Sequence, residues 1–232
     1  MIDVRRGADR HRGGDPAAGI DTRHAFSFAG YYDPDDVGFG LLMACNEERL
    51  APGAGFAEHP HRDVEIVTWV IEGELEHVGP DGSPVRLGAG AAQALSAGGG
   101  VRHVERNGGA APLRFLQMWL HPAVYGAAPS YAATPPLPPA PGLTPLASGA
   151  LPEAPLRLRQ PAATLFLGRG PASLPPAPFG YLHALRGPLH LAGGTTLAEG
   201  DAARLTSEPV ALRAAPEAEY LFWSMQSEPS YG

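Results

Sequence analysis

Two ten-residue segments of the chain match without a gap, and this internal repeat constrains the fold more than any other feature. RLGAGAAQAL, residues 86–95, and TLAEGDAARL, residues 196–205, share leucine, glycine, alanine and leucine at equivalent places. Upstream of these segments, VIEGELEHVG and ALRGPLHLAG align Gly73 with Gly187. Self-similarity of this kind indicates that one structural unit is present twice. The sequence therefore predicts two diverged copies of one module.

Each copy has the composition of a β-structure. Short stretches rich in β-branched and aromatic residues, such as EIVTWVIEG and LRFLQMWL, are separated by turn sequences such as GPDGS. The 30 glycines and 26 prolines favour many turns and few long helices. We expect an all-β fold made of two antiparallel, jelly-roll-like β-sandwich or β-barrel modules.

A proline-rich stretch, PSYAATPPLPPAPGLTPLASGALPEAP, separates the two copies. Proline cannot donate to a sheet ladder, so this stretch is expected to be an extended, solvated crossing. The predicted division is residues 1–126 for a metal-binding module, 127–162 for the crossing and 163–232 for a module without ligands.

The charge and cysteine content exclude several classes of protein. The net charge is −7, and the 17 basic residues, all arginine, form no long basic patch, which argues against direct nucleic-acid binding. With Cys45 as the only cysteine, neither an intrachain disulfide nor a thiolate zinc site can form. No signal sequence or membrane-length apolar run is present, so we expect a cytoplasmic protein without a membrane partner.

Two pairs of polar residues stand out as metal-ligand candidates. His59 and His61 are separated by one residue, as are His103 and Glu105, so in extended strands each pair faces one way. Glu65 follows the first pair and is a second candidate carboxylate. Together they predict a site of three histidines and one carboxylate. The alternative is that each pair is simply a polar surface of its strand.

Imidazole and carboxylate ligands suit iron, manganese, nickel or copper better than they suit soft metals. Four protein ligands leave open positions for a substrate or dioxygen. This ligand set favours a catalytic metal site over a structural one.

Four motifs in order, RHAFSFAGYYDP, GFAEHPHRDVEIVTWVIEGELEH, SAGGGVRHVER and LQMWLHP, resemble the pirin family of bicupins. The resemblance implies one divalent transition metal, with iron expected and Cu, Ni, Mn, Zn or Co as alternatives. It implies that the ligands are His59, His61, His103 and Glu105. Glu65 would then orient an imidazole or act on the substrate.

The second copy lacks these ligands. The repeat places Ser173 and Pro175 opposite His59 and His61, and Arg213 opposite His103. In pirins too the C-terminal cupin carries no metal. We expect one metal per chain.

The resemblance implies two classes of function. The first is a dioxygenase that opens flavonol, quercetin-like substrates with O2, with Glu105 or Glu65 taking the proton of the enolic substrate. The second is a metal- and redox-dependent regulatory protein that binds a transcription factor or a metabolic enzyme. Turnover with oxygen uptake distinguishes the first class from the second.

The other histidines and the large aromatic residues are expected to be structural. A buried histidine is more often a hydrogen-bonded core residue than a ligand. This expectation covers His24, His77, His121, His183 and His190. We expect core positions for Trp69, Phe115 and Trp119.

Overall fold

The β-branched and aromatic stretches form strands throughout the part of the chain that the structure describes. This computed structural model describes residues 1–207 and 209–229, so residues 208 and 230–232 of the predicted second module lie outside it. Single-turn 3₁₀ helices span Gly7–Asp9, Pro16–Ala18 and Ala192–Gly194.

The strands of the first half of the chain are β1 (Ile2–Arg5), β2 (His11–Asp15), β3 (Ile20–His24), β4 (Leu42–Leu50), β5 (Gly55–His61), β6 (Glu65–Glu72), β7 (Glu74–Val78), β8 (Pro84–Gly88), β9 (Ala92–Ser96), β10 (Val101–Asn107) and β11 (Leu113–Leu120). The strands of the second half are β12 (Ser130–Thr134), β13 (Gly142–Ser148), β14 (Leu156–Arg157), β15 (Ala163–Arg169), β16 (Ala172–Leu174), β17 (Phe179–Arg186), β18 (Leu189–Leu191), β19 (Thr196–Leu197), β20 (Ala202–Leu205), β21 (Val210–Ala214) and β22 (Glu219–Met225).

These strands form two pairs of sheets with the same order. The first pair has a seven-stranded sheet, β12-β9-β6-β11-β4-β3-β2, and a four-stranded sheet, β5-β10-β7-β8. The second pair has the orders β1-β20-β17-β22-β15-β13-β14 and β16-β21-β18-β19. Pairing is antiparallel, apart from β13 with β14. The prediction of an all-β bicupin is confirmed.

The repeat corresponds to equivalent turns of the two modules. Gly73 and Gly187 follow β6 and β17 with φ of 80° and 73°, and Gly90 and Gly200 precede β9 and β20 with φ of 82° and 84°. Positive φ is a conformation that glycine adopts without steric cost, which explains why glycine occupies both places in both copies.

Three apolar layers hold the structure together. One cluster, around Val70, Leu75 and Phe115, fills the space between the two sheets of the first module. A second cluster does the same in the second module. The largest cluster joins residues of both seven-stranded sheets, including Trp69 and Trp223, so the backs of these sheets pack against each other. The expected core positions of Trp69 and Phe115 agree with this packing.

The prediction that residues 127–162 form an extended, solvated crossing is wrong, because strands of this segment join both large sheets. Within residues 127–162, β12 pairs with β9, and β13 pairs with β15. The prolines of this segment lie between its strands, apart from Pro145 of β13, which is next to a register shift in the pairing with β15. Strand β1, from the predicted first module, pairs with β20 and takes the edge place that β12 has in the other sheet. The division at residues 126 and 163 stays a prediction, but strand pairings connect the segments on the two sides of each bound.

A search of the described residues for a helix that is long and apolar enough to cross a membrane finds none.

Candidate metal centre

Strands β5 and β10 bring three histidines together at one end of the first module. His103 pairs directly with His59, and Val101 pairs with His61. Paired residues share a face of the sheet, and residues two apart on a strand share it too. The ring centroids are 4.7 Å apart for His59 and His61, 4.5 Å for His59 and His103, and 4.8 Å for His61 and His103.

Hydrogen bonds direct the free nitrogens of these rings towards each other. His59 Nδ1 lies 2.8 Å from the carbonyl oxygen of Ala57, which can only accept, so Nδ1 carries the proton and Nε2 has a free lone pair. Nε2 of His59 and Nε2 of His103 are 3.0 Å apart. Two imidazole nitrogens at ordinary distances of ~2.1 Å from one ion would have about this separation when they are at right angles.

The third ring supplies an unsatisfied atom. His61 Nε2 is buried and has no hydrogen-bond partner. Burial and, to a smaller extent, the neighbouring His59 lower the pKa of His61 to about 4, although the charge of Glu105 opposes them. Burial likewise lowers the pKa of His103 to about 4, although the charge of Glu105 opposes this effect. Both rings are therefore neutral at pH 7, the form that binds metal, and this donor set fits a divalent transition metal.

Glu105 lies next to this group and is almost completely buried. Its Oε1 accepts a hydrogen bond of 2.7 Å from the Gln93 amide, and its Oε2 accepts one of 2.8 Å from the Gln117 amide. Burial raises the pKa of Glu105, but His77, His103 and Gln117 outweigh it, and the pKa is lowered. The carboxylate is therefore ionised.

The potential ligand atoms form two groups that share one residue. One group is His59, His61 and His103, and the other is His77, His103 and Glu105, with all atoms of each group within 4.8 Å of one another. His103 therefore links Glu105 to the other two histidines.

The structure does not bring Glu65 to this site. Glu65 Oε2 accepts hydrogen bonds from Ser96 Oγ at 2.7 Å and from the backbone N–H of Arg159 at 3.2 Å. Strand alternation places Glu65 on the same face of β6 as Trp69, which packs against the second module. The role of Glu65 near the metal or the substrate is therefore corrected: its carboxyl group connects the two modules.

The sequence interpretation missed residues around Glu105. His77, expected to be structural, lies with its Nδ1 3.4 Å from His103 Nδ1 and 4.0 Å from Glu105 Oε1, and its ring stacks on Tyr131. Because His103 needs a free Nε2 lone pair to bind a metal, its Nδ1 would donate to His77. His77 lies on β7 directly opposite Glu105 of β10, a pairing that the local sequence does not predict.

Two hydrogen-bond chains fix the glutamine amides. Tyr131 Oη donates to Gln93 Oε1 at 3.0 Å, and Trp119 Nε1 donates to Gln117 Oε1 at 2.9 Å. These bonds orient each amide so that its NH₂ group faces Glu105. Trp119, which was expected in the core, is half-buried and its ring meets the His61 ring edge-on at 4.9 Å.

Two cavities reach the histidines from outside. One of about 570 Å³ is lined by His61, Val101 and Gly99, with Arg62 and Arg102 at its rim. The other, about 370 Å³ and mainly apolar, is lined by His77, Leu95, Val101 and Tyr131. Both volumes are in the range of about 300–1,000 Å³ that small-molecule sites occupy.

In the second module, Ser173 and Arg213 lie on β16 and β21, the counterparts of β5 and β10. Both groups of potential metal ligands found among the described residues belong to the first module. The expectation of one metal per chain stays a prediction.

Comparison with known proteins identifies relatives. A model of the pirin family matches residues 6–120. A Mycobacterium tuberculosis protein named "Putative quercetin 2,3-dioxygenase" is 40% identical over 238 residues, which cover 98% of this chain and 96% of that protein. The quercetin 2,3-dioxygenase of Escherichia coli K12 is 42% identical over 113 residues, 48% of this chain and 49% of that one.

Solved structures share the fold. The bacterial pirin YhhW from Escherichia coli in complex with nickel(II) matches with a TM-score of 0.88 and 27% identity, over 99% of this chain and 100% of that one. A quercetin 2,3-dioxygenase from Acinetobacter baumannii matches with a TM-score of 0.75 and 20% identity, over 99% of this chain and 89% of that one, which shows the fold alone.

Proposed function

Because the chain belongs to the pirin family, we propose that it is a mononuclear non-haem metal-dependent dioxygenase that opens flavonol, quercetin-like substrates with O2. The observation that carries the proposal is the convergence of three imidazoles, one with an unpartnered buried Nε2, beside cavities of small-molecule size. The names of the relatives at 40% and 42% identity support the reaction class.

We assign the metal to His59, His61, His103 and Glu105, and we propose iron as the metal. The nickel in the related pirin structure supports a site for divalent transition metals in this family, and a set of imidazoles with one carboxylate suits both ions. When bound, such a metal supplies Lewis acidity that favours the ionised form of an enolic substrate, and open positions for the substrate and dioxygen.

The role of Glu105 as a base has less support than its role as a ligand. Both of its oxygens already accept hydrogen bonds from glutamine amides, and its pKa is lowered, so it takes up a proton weakly. Its negative charge instead balances a cation held by neutral imidazoles. Gln93 and Gln117 keep the carboxylate in place and thereby position it.

The walls of the two cavities would hold the substrate. The 570 Å³ cavity is the one that reaches a proposed ligand, His61, so we propose that the substrate enters there. Val101 lines both cavities and, with Leu95, would exclude water from the aromatic rings of a flavonol. Arg62 and Arg102 also line this cavity, and their charges are paired with Asp63 at 3.3 Å and with Glu58 at 2.8 Å.

Oxygen consumption with quercetin tests this proposal. The iron-loaded protein should consume O2 and bleach the flavonol absorbance, because ring opening ends the conjugation. The variant His61→Ala should lose both activities, whereas His190→Ala, which removes an exposed histidine of the second module, should keep them. A metal-loaded protein that consumes no oxygen would contradict the dioxygenase and would favour the regulatory class, which binds a protein partner.

A further inference from the structure

A polar cavity of about 230 Å³ lies where the N-terminal arm, residues 6–10, meets the two modules, and the proposed reaction does not use it. Four arginines line it, together with two glutamates: Arg10, Arg23, Arg49, Arg114, Glu47 and Glu199. Glu199 comes from the second module, and the other five come from the arm and the first module.

The charges in this cavity do not balance. Glu47 Oε1 accepts hydrogen bonds from Arg114 at 2.8 Å and from Arg49 at 3.0 Å, and Glu199 accepts one from Arg114 at 2.6 Å. Burial raises the pKa of Glu47, but the hydrogen bonds and charge of Arg114, together with Arg49, outweigh it and lower the pKa to about 2, so this group is ionised. The lining thus carries two carboxylates and four guanidinium groups. Two more exposed carboxylates lie outside it, Asp21 at 3.7 Å from Arg23 Nε and Glu72 at 3.9 Å from Arg114 Nη1, and they offset part of the positive charge.

Some buried donors in this region have no acceptor. Arg10 is only 8% exposed, and its Nε and Nη1 are buried without a hydrogen-bond partner. Its Nη2 lies 2.9 Å from His183 Nδ1, which must accept because a guanidinium can only donate. Arg23 Nε is also buried without a hydrogen bond, and Asp21 Oδ1, at 3.7 Å, is too far away to make one. Buried donors without partners are costly, and they are rare unless a water or an ion satisfies them.

We propose that this cavity binds a small oxyanion, a molecule that carries a carboxylate or a phosphate group. The planar fork of arginine matches the oxygens of both groups, and a charged acceptor would satisfy the free donors of Arg10 and Arg23 and balance the excess positive charge. The volume holds a phosphate or a small dicarboxylate.

The cavity lies where a bound anion would connect the N-terminal arm to the first module. The arm reaches the second module through Asp201, which accepts hydrogen bonds from Arg6 at 2.6 Å and from the backbone N–H of Gly7 at 2.8 Å. An anion bound between Arg10, Arg23 and Arg114 would join the arm to the first module beside this contact. Binding to the folded protein alone therefore raises its melting temperature.

Thermal unfolding and calorimetry with inorganic phosphate and with malonate test the proposal, against chloride at the same ionic strength. At a hundred times the dissociation constant, at least one of the two probes should raise the melting temperature by about 5 °C or more. A rise with phosphate alone, with malonate alone or with both would show which group binds, and each of these results supports the site. A rise that chloride reproduces, or no rise with either probe, would overturn it.

Variants locate the binding. Arg23→Gln and Arg10→Gln should weaken binding at least tenfold by calorimetry at 20 °C. Arg23→Gln removes only a long ion pair of 3.7 Å with the exposed Asp21, so its fold should persist. Arg213→Gln, which makes the same change of charge at an exposed place on β21, should bind as the unmodified protein does. Equal loss in Arg213→Gln, or undiminished binding in Arg23→Gln, would contradict the proposal.

Discussion

Replacement of Glu47 by glutamine tests the charge arrangement between the two modules. The Glu47 side chain is 5% exposed and receives hydrogen bonds from Arg114 and Arg49. The substitution keeps an acceptor oxygen of similar shape but removes the negative charge. It leaves Arg114 buried beside Arg49 and Arg10 with less compensating charge. The free energy of unfolding at pH 7 should therefore fall.

The pKa of Glu47 gives the magnitude. Folding lowers this pKa from 4.5 to about 2, and each pKa unit corresponds to about 1.4 kcal/mol, so the charged interactions contribute about 3 kcal/mol. Because the pKa is lower in the folded state, this contribution is complete above pH 4.5 and is lost as the pH falls towards 2. The loss of one partner of a buried ion pair has a cost of the same size, about 3–5 kcal/mol.

Urea denaturation between pH 7 and pH 2.5 measures both effects. Glu47→Gln should unfold with about 3 kcal/mol less free energy at pH 7, and the difference from the unmodified protein should shrink below pH 4.5. Glu199→Gln is the matched control: it also removes a partner of Arg114, but its side chain is 49% exposed, so it should lose less than about 1 kcal/mol. A loss below about 1 kcal/mol in Glu47→Gln, or a difference that does not change with pH, would refute the reasoning.

Four further substitutions test other parts of the structure. Glu65→Gln should retain the metal content of the unmodified protein by elemental analysis, because the side chain faces the second module; loss of metal would return Glu65 to the site. Gly90→Ala and Gly200→Ala should each lower the free energy of unfolding by about 1–2 kcal/mol in urea titrations, because both residues have positive φ in equivalent turns. A large difference between the two variants would argue against the equivalence of these turns. Tyr131→Phe removes the hydrogen bond that orients the Gln93 amide towards Glu105, so metal affinity measured by chelator competition should fall about tenfold, and unchanged affinity would exclude this positioning role.

The local sequence pattern was sufficient to predict the fold and the histidine cluster. The four matched places of the repeat predicted two copies, and Gly90 and Gly200 do have nearly identical backbone angles. Strand alternation alone placed His59 and His61 on one face, and the pairing of β5 with β10 added His103. These features depend on neighbours along the chain and on one strand pairing, which sequence patterns record.

The positions of Glu65, His77, Tyr131 and β1 depend on tertiary packing, and the local sequence did not predict them. Glu65 follows His61 by four residues, but a turn intervenes, and the side chain faces the other module. His77 and Tyr131 reach the site from a different strand and from the proline-rich segment, so their positions depend on sheet order. Strand β1 joins the second module across almost the whole chain, a pairing for which local sequence gives no signal.

The most direct test of the central claim is the metal content of the purified protein. Elemental analysis after reconstitution with Fe(II) should give one metal per chain for the unmodified protein and for His190→Ala, and much less for His103→Ala, the residue shared by both ligand groups. Circular dichroism should show the same β-structure in all three proteins, because the apolar layers do not depend on one ion. A His103→Ala variant that remains folded and binds one metal per chain would contradict the account.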